Sequence, residues 1–141
     1  MSNPFDLDRF IIAQRDVFDI ALSEIRNGAK QSHWMWFIFP QIAGLGHSAT
    51  AQYYAIRSLS EACAYLDHDL LGPRLRRCVE ALQTLPSPDA IRVFGPVDAM
   101  KLRSSLTLFL EASGDMLFSS ALRRWFEGRK DPKTLALLQP R

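Results

Sequence analysis

The chain has 141 residues, of which 48% are hydrophobic, 11% aromatic and 23% charged. That length suits one domain with a sizeable core and excludes two ordinary ones; the aromatic content excludes disorder, and no run approaches the ~20 apolar residues of a membrane-spanning helix. Seventeen Lys and Arg against fifteen Asp and Glu leave a net charge of +2, too small a surplus for a dedicated nucleic-acid binder.

Asp6 is placed to cap a first helix over about residues 7–26. In it Leu7, Phe10, Ile11, Val17, Phe18, Ala21, Leu22 and Ile25 form one stripe, while Arg9, Arg15, Asp16, Asp19 and Glu24 face water. Asn27-Gly28 is a matching stop. Residues 34–40 are all apolar, a run that periodicity cannot assign. The helical surroundings favour a short buried helix begun at Ser32 and ended before Pro40; a strand is the alternative. A loop over 42–48 leads to Ser48, which can cap a helix over about 49–57. Ser58 and Glu61 form a capping-box pattern for the next, about 59–67. A helix over about 70–84 has Pro73 in its first turn, and Leu85-Pro86-Ser87-Pro88-Asp89 is the clearest break. A turn through Ala90 to Val93 should stop at Gly95-Pro96. A helix over about 97–112 follows, with Met100, Leu106, Phe109 and Leu110 inward. Another spans about 115–127, and Asp131-Pro132 opens a last short one. The expected fold is all-α, a single compact domain of six to eight helices over residues 1–141.

Two basic groups, Arg74-Arg76-Arg77 and Arg123 through Lys133, lie on amphipathic helices, where a solvated face accounts for them. Cys63 and Cys78 lack metal-motif spacing and read as packing residues. The first residues lack the charged and apolar regions of a signal peptide, so a cytoplasmic location with reduced thiols is expected.

Several phrases carry a family resemblance. The longest is Lys30-Gln31-Ser32-His33-Trp34-Met35-Trp36-Phe37-Ile38-Phe39-Pro40-Gln41. In order after it come Gly44-Leu45-Gly46-His47-Ser48, Leu71-Gly72-Pro73-Arg74-Leu75, Phe94-Gly95-Pro96-Val97-Asp98 and the segment from Lys101 to Phe109. Together, from about Phe5 to Leu138, they resemble the bacterial family of unknown function called DUF1810. The resemblance implies a mainly helical fold and no reaction, cofactor or catalytic residue.

Read as chemistry, residues 30–54 are the most unusual stretch. Lys30, His33 and Gln41 bracket an apolar run holding Trp34 and Trp36. Gly44 and Gly46 allow close backbone approach, and Ser48 stands at a helix start that favours anions. Tyr54 follows on that helix. The parts suit an anionic, nucleotide-like ligand such as an ADP-ribose or NAD derivative. Its ring would lie on a tryptophan, its phosphate at the Gly-x-Gly-x-Ser turn, and Lys30 or Lys101 would neutralise charge. His33 is the candidate general base and Lys101 the electrostatic partner. Asp98 is three positions from Lys101 and Ser105 four beyond it, both within reach on one helix. The alternative for every one of these residues is structural: tryptophans in the core, a tight turn, a cap. No metal site or cofactor is expected, because no His-x-x-x-His or Cys-x-x-Cys occurs. The rival function is a non-catalytic protein-interaction module, docking through the aromatic segment or through Trp125 and Phe126. A membrane partner is not expected, and nucleic acid ranks last.

The first helical stripe generates a test. Phe18→Ala should cost about 3–5 kcal/mol in denaturant unfolding, the usual penalty for emptying a buried aromatic site. An unchanged midpoint would remove Phe18 from the core.

Overall fold

The computed structural model describes residues 5–139. Their order is α1 (Asp8–Gln14), α2 (Phe18–Arg26), α3 (Met35–Ile38), α4 (Ala49–Tyr54), α5 (Leu59–Asp67), α6 (Leu71–Gln83), α7 (Ala90–Phe94), α8 (Pro96–Ser113), α9 (Met116–Phe126) and α10 (Pro132–Leu138). The all-α expectation holds; among the described residues the β pairing is an isolated parallel bridge between Ile42 and Ile56.

Ten elements replace the expected six to eight. Part of the surplus is the short α7, a segment expected only as a turn. The rest comes from the first stripe, which breaks at Arg15 to Val17 instead of running through. There the Arg15 and Val17 amides bond three residues back, to Ile12 and Gln14, tightening the turn. The break follows from partners: α1 packs on α3, whereas α2 packs on α6. Asp6 does not cap α1, whose first position follows Leu7 with no side-chain cap. The apolar run resolves as the one-turn α3, opened at Trp34 rather than Ser32.

Helix α8 is the axis. It packs against α3, α5, α7, α9 and α10, and Leu102 through Phe109 are buried with the exception of half-buried Arg103. A helix covered on most sides shows little amphipathic period. Its polar residues are therefore put to use. Thr107 donates to the Arg103 carbonyl at 2.8 Å and accepts the Asp131 amide at 2.9 Å. Asp131 in turn caps α10 through the Thr134 amide at 3.1 Å, docking the last helix on α8. Met100, expected inward, is 70% exposed, because it lies on the open side of the first turns.

Several caps are as the residue types require. Ser48, Ser58, Asp89, Asp115 and Asp131 each accept an amide from the first turn they precede. In the Ser58–Glu61 box the glutamate accepts the Arg57 amide at 2.9 Å, one residue earlier than the standard pattern. His68 acts as a further cap: its Nδ1 accepts the Leu70 and Leu71 amides. The end of α6 is closed from outside, by the Arg124 guanidinium donating to the carbonyls of Leu82 and Leu85. Gly72 lets α5 and α6 meet, since a Cβ there would lie 2.0 Å from the Leu66 carbonyl oxygen. Cys78 is buried, and burial pushes its thiol up to about 12 against the opposing pull of Arg77, Arg26 and Arg74. Cys63 is half-buried and donates to the Ala112 carbonyl at 3.3 Å.

Arg9, expected in water, is buried at 7% exposure. Its guanidinium meets Glu61 at 2.8 Å and donates to the carbonyls of Asp6, Tyr53 and Ala55. Glu61→Ala should therefore cost about 3–5 kcal/mol, because it leaves a buried guanidinium without its counter-charge. Calorimetric unfolding checks this; a cost below about 1 kcal/mol, the level of an exposed pair, would contradict the placement.

Candidate functional site

After α2 the chain must turn back toward α3, and Glu24 organises that turn. Its Oε1 accepts the amides of Gln31 at 2.8 Å and Ser32 at 3.0 Å and the Trp34 indole N–H at 2.9 Å. Its Oε2 accepts the Ser32 hydroxyl at 2.6 Å. Partial burial raises this carboxyl, but the hydrogen bonds, led by the Ser32 hydroxyl, outweigh it and hold it down at about 2. Glu24 thus does not simply face water, as its place on the helix suggested.

The indole of Trp34 is consequently fixed in the core. It is wholly buried and meets Phe94 edge-on at 6.3 Å. This corrects the expectation that it offers a face to a ligand ring. Beside it Lys30 pairs with Asp98 at 2.8 Å, donates to the Ser32 carbonyl at 2.6 Å and stands 5.0 Å from the Trp34 ring centre. Lys101 lies 3.4 Å from the other Asp98 oxygen and 4.5 Å over the Trp36 ring. One carboxylate is therefore shared by two ammonium groups, each over its own tryptophan. The Lys30 side chain is only 7% exposed, so its charge is already committed to this cluster. Asp98 and Lys101 meet as their spacing suggests. Lys101 and Ser105 do not: Ser105 is 1% exposed, and its hydroxyl has no hydrogen-bond partner among the described residues.

Beyond Pro40 the chain runs alongside the segment after α4. The Ile56 amide donates to the Gln41 carbonyl and the Ala43 amide to the Ile56 carbonyl, both at 2.8 Å. These bonds close a loop around a cleft of about 160 Å³. Small residues, Ala43, Ala51 and Ala55, leave the space open. Gly46 is required, because a Cβ there would stand 2.6 Å from the Ala51 Cβ. Trp36 lines the cleft with the polar side chains of Gln41, Gln52, Tyr54 and Arg57. Four expected residues, Trp36, Gln41, Gly46 and Tyr54, are thus brought together.

Tyr54 packs its ring on Phe37 at 5.3 Å and Phe10 at 6.0 Å. Burial raises its hydroxyl above the ordinary phenol value, the neighbouring Tyr53 adds to this and Arg9 opposes it, so it remains a neutral donor. The Arg57 amide is anchored on Glu61, while its exposed guanidinium has no partner among the described residues. Arg57 and Gln52 escaped the sequence reading. Their place depends on Ile42 meeting Ile56, a pairing with no local signal.

Like Lys30, Trp34, Asp98, Lys101 and Ser105, the two remaining expected residues lie outside the cleft. Ser48 is an exposed cap that spends its hydroxyl on the Ala51 amide at 3.1 Å, outside the cleft lining. The six-residue α4 builds no phosphate turn there. His33 is exposed and also outside the lining, because α3 starts only after it and turns the following rings inward. Among the described residues no three His, Cys, Asp or Glu converge in a way that would hold a metal ion, and no helix is long and apolar enough to cross a membrane.

A family model described as a protein of unknown function, DUF1810, matches residues 4–138. The chain is also similar to the crystal structure of the conserved hypothetical protein Rv1873 from Mycobacterium tuberculosis. The two are 47% identical with a TM-score of 0.94, covering 96% of this chain and 98% of that one. No curated protein matches.

The Glu24 hub predicts an acid-sensitive stability. Its carboxyl lies below the unfolded value of 4.5, so its contribution is complete above about pH 5 and is lost as pH falls toward 2. Glu24→Gln should cost about 1–3 kcal/mol at pH 7, through broken hydrogen bonds. Its melting temperature should converge on that of the natural chain in acid. Parallel curves from pH 7 to 2.5 would show that Glu24 does not hold this turn.

Proposed function

The chain belongs to the DUF1810 family, and we propose that it is a binding protein for a small anionic, nucleotide-like molecule seated in the cleft between Trp36 and Arg57. One observation carries the reading. The titratable side chains lining the cleft are an arginine with no ion pair among the described residues and a phenol held neutral. That pairing suits an anion. The lining holds no carboxylate, imidazole or thiol, the groups that acid–base or nucleophilic chemistry would use.

Size narrows the ligand. A cavity of about 150 Å³ takes a benzene ring, and this cleft of about 160 Å³ has room for one ring or one ribose. An ADP-ribose or NAD derivative would seat that single group, place phosphate on Arg57 and extend over Trp36 toward Lys101. Gln41 and Gln52 supply amides that can read the polar edge of the seated group. The unpaired cysteines support a cytoplasmic setting for this binding.

A thermal-shift series with AMP, NAD, ADP-ribose and inorganic phosphate tests the proposal. Ligand at a hundred times its Kd adds about 2.7 kcal/mol, or about 10 °C for a domain of this size. Arg57→Ala and Gln52→Leu, both at exposed positions, should abolish the shift and leave the unliganded melting temperature within a few degrees. Silence across the series, or a shift that survives Arg57→Ala, would sink the assignment.

A further inference from the structure

A second feature lies on the side of α8 where Met100 emerges. Between α7, α8 and α9 runs an open trench of about 480 Å³. Trp125 and Phe126 form its floor, with Ile91 and Met100 on its walls. Ile91 is 63% exposed and Met100 70%, and the neighbouring Val97 is 65% exposed. Large aliphatic side chains this exposed, grouped on one face, mark an interaction surface more than scattered ones do. Methionine is well suited to shape itself to a partner.

Two smaller depressions share lining with the trench. The one toward α2 shares Asp89 and adds Arg26 and Arg92; the one toward the end of α9 shares Arg103, Trp125 and Phe126 and adds Glu127 and Arg129. The carboxylates along these depressions are fewer than the arginines. Asp89 accepts the Arg92 amide as a cap, and Glu127 pairs with Arg129 at 3.1 Å. Arg26 and Arg92 have no carboxylate partner among the described residues. Arg103 donates to the carbonyls of Arg129 and Lys130, which leaves its charge uncompensated.

We propose that this trench docks a segment of another protein in which two apolar side chains are flanked by acidic ones. The apolar pair covers Ile91 and Met100, and the acids meet the arginines at the ends. A nucleic acid fits less well. Bases need open aromatic faces to stack on, and Trp125 is only 6% exposed and Phe126 half-buried, so most of the exposed surface is aliphatic. The site is separate from the Trp36–Arg57 cleft and does not depend on the reading given to it.

The probe is a display library of random peptides about twelve residues long, selected on the full chain. Enriched peptides should combine two or more aliphatic residues with acidic flanks. They should weaken roughly tenfold on Met100→Asp and on Arg92→Glu, and as salt rises. Ile12→Asp, outside the trench, should not change their binding. The Arg92 side chain makes no hydrogen bond or ion pair among the described residues, so its variant keeps the test open if Met100→Asp folds poorly. No enrichment, enriched peptides lacking acidic residues, or binding indifferent to both variants would overturn the proposal. So would a single-stranded oligonucleotide that displaces the peptides, or self-association of the chain abolished by Met100→Asp. The last would name a second copy as occupant, through its own acidic and apolar residues Asp8, Ile12, Asp16 and Asp19.

Discussion

Four hydrogen bonds converge on the Glu24 carboxylate, and the arrangement of the aromatic segment depends on them. They tie the turn after α2 to the indole of Trp34. With Trp34 locked into the core, α3 has one available orientation. That orientation sends Ile38 and Phe39 inward and leaves Trp36 between the cleft and Lys101. A single ionised group at the end of one helix therefore sets the position of a ring more than one turn further along. Its low proton affinity follows from the same bonds, since each is made to the charged form.

The other wall of the cleft depends on the buried pair of Arg9 and Glu61. Helix α4 buries no residue of its own, so packing alone does not hold it. Arg9 does so by taking up the carbonyls of Tyr53 and Ala55 at its end. Glu61 completes the link, with one oxygen on Arg9 and the other on the Arg57 amide. The buried charges thus position a third, exposed charge. Burying an ion pair is a poor source of stability against an apolar replacement, which makes its value here geometric: it fixes the loop that carries Tyr54 and Arg57.

The cleft and the trench differ in a way that follows from α8. Where that helix is enclosed, Thr107 and Ser104 bond internally, to Asp131 and the preceding turn, while the Ser105 hydroxyl is buried without a partner among the described residues. Where its first turns emerge, Val97 and Met100 are largely exposed. The cleft is small, polar and bordered by rings; the trench is larger, aliphatic and bordered by arginines. One suits a compact anion, the other a length of peptide.

Three of the four expected caps were legible from residue type, Ser48, Ser58 and Asp131 but not Asp6, because a cap acts within one turn of the backbone it serves. The helical class and the buried identities of Phe10, Phe18 and Ile25 were legible for a related reason, because periodicity records burial. The position of Trp36, Gln41, Gly46 and Tyr54 near one another was legible in outline. Tertiary structure alone decided that the first stripe would break, that Arg9 and Glu24 would turn inward, that Trp34 would be core and Met100 surface, and that Arg57 would complete the cleft. Each of these outcomes depends on a partner distant along the chain or on the packing of a neighbouring element. Such partners leave no mark on the spacing of the residues that meet them, so the contact exists only once the fold has brought it about.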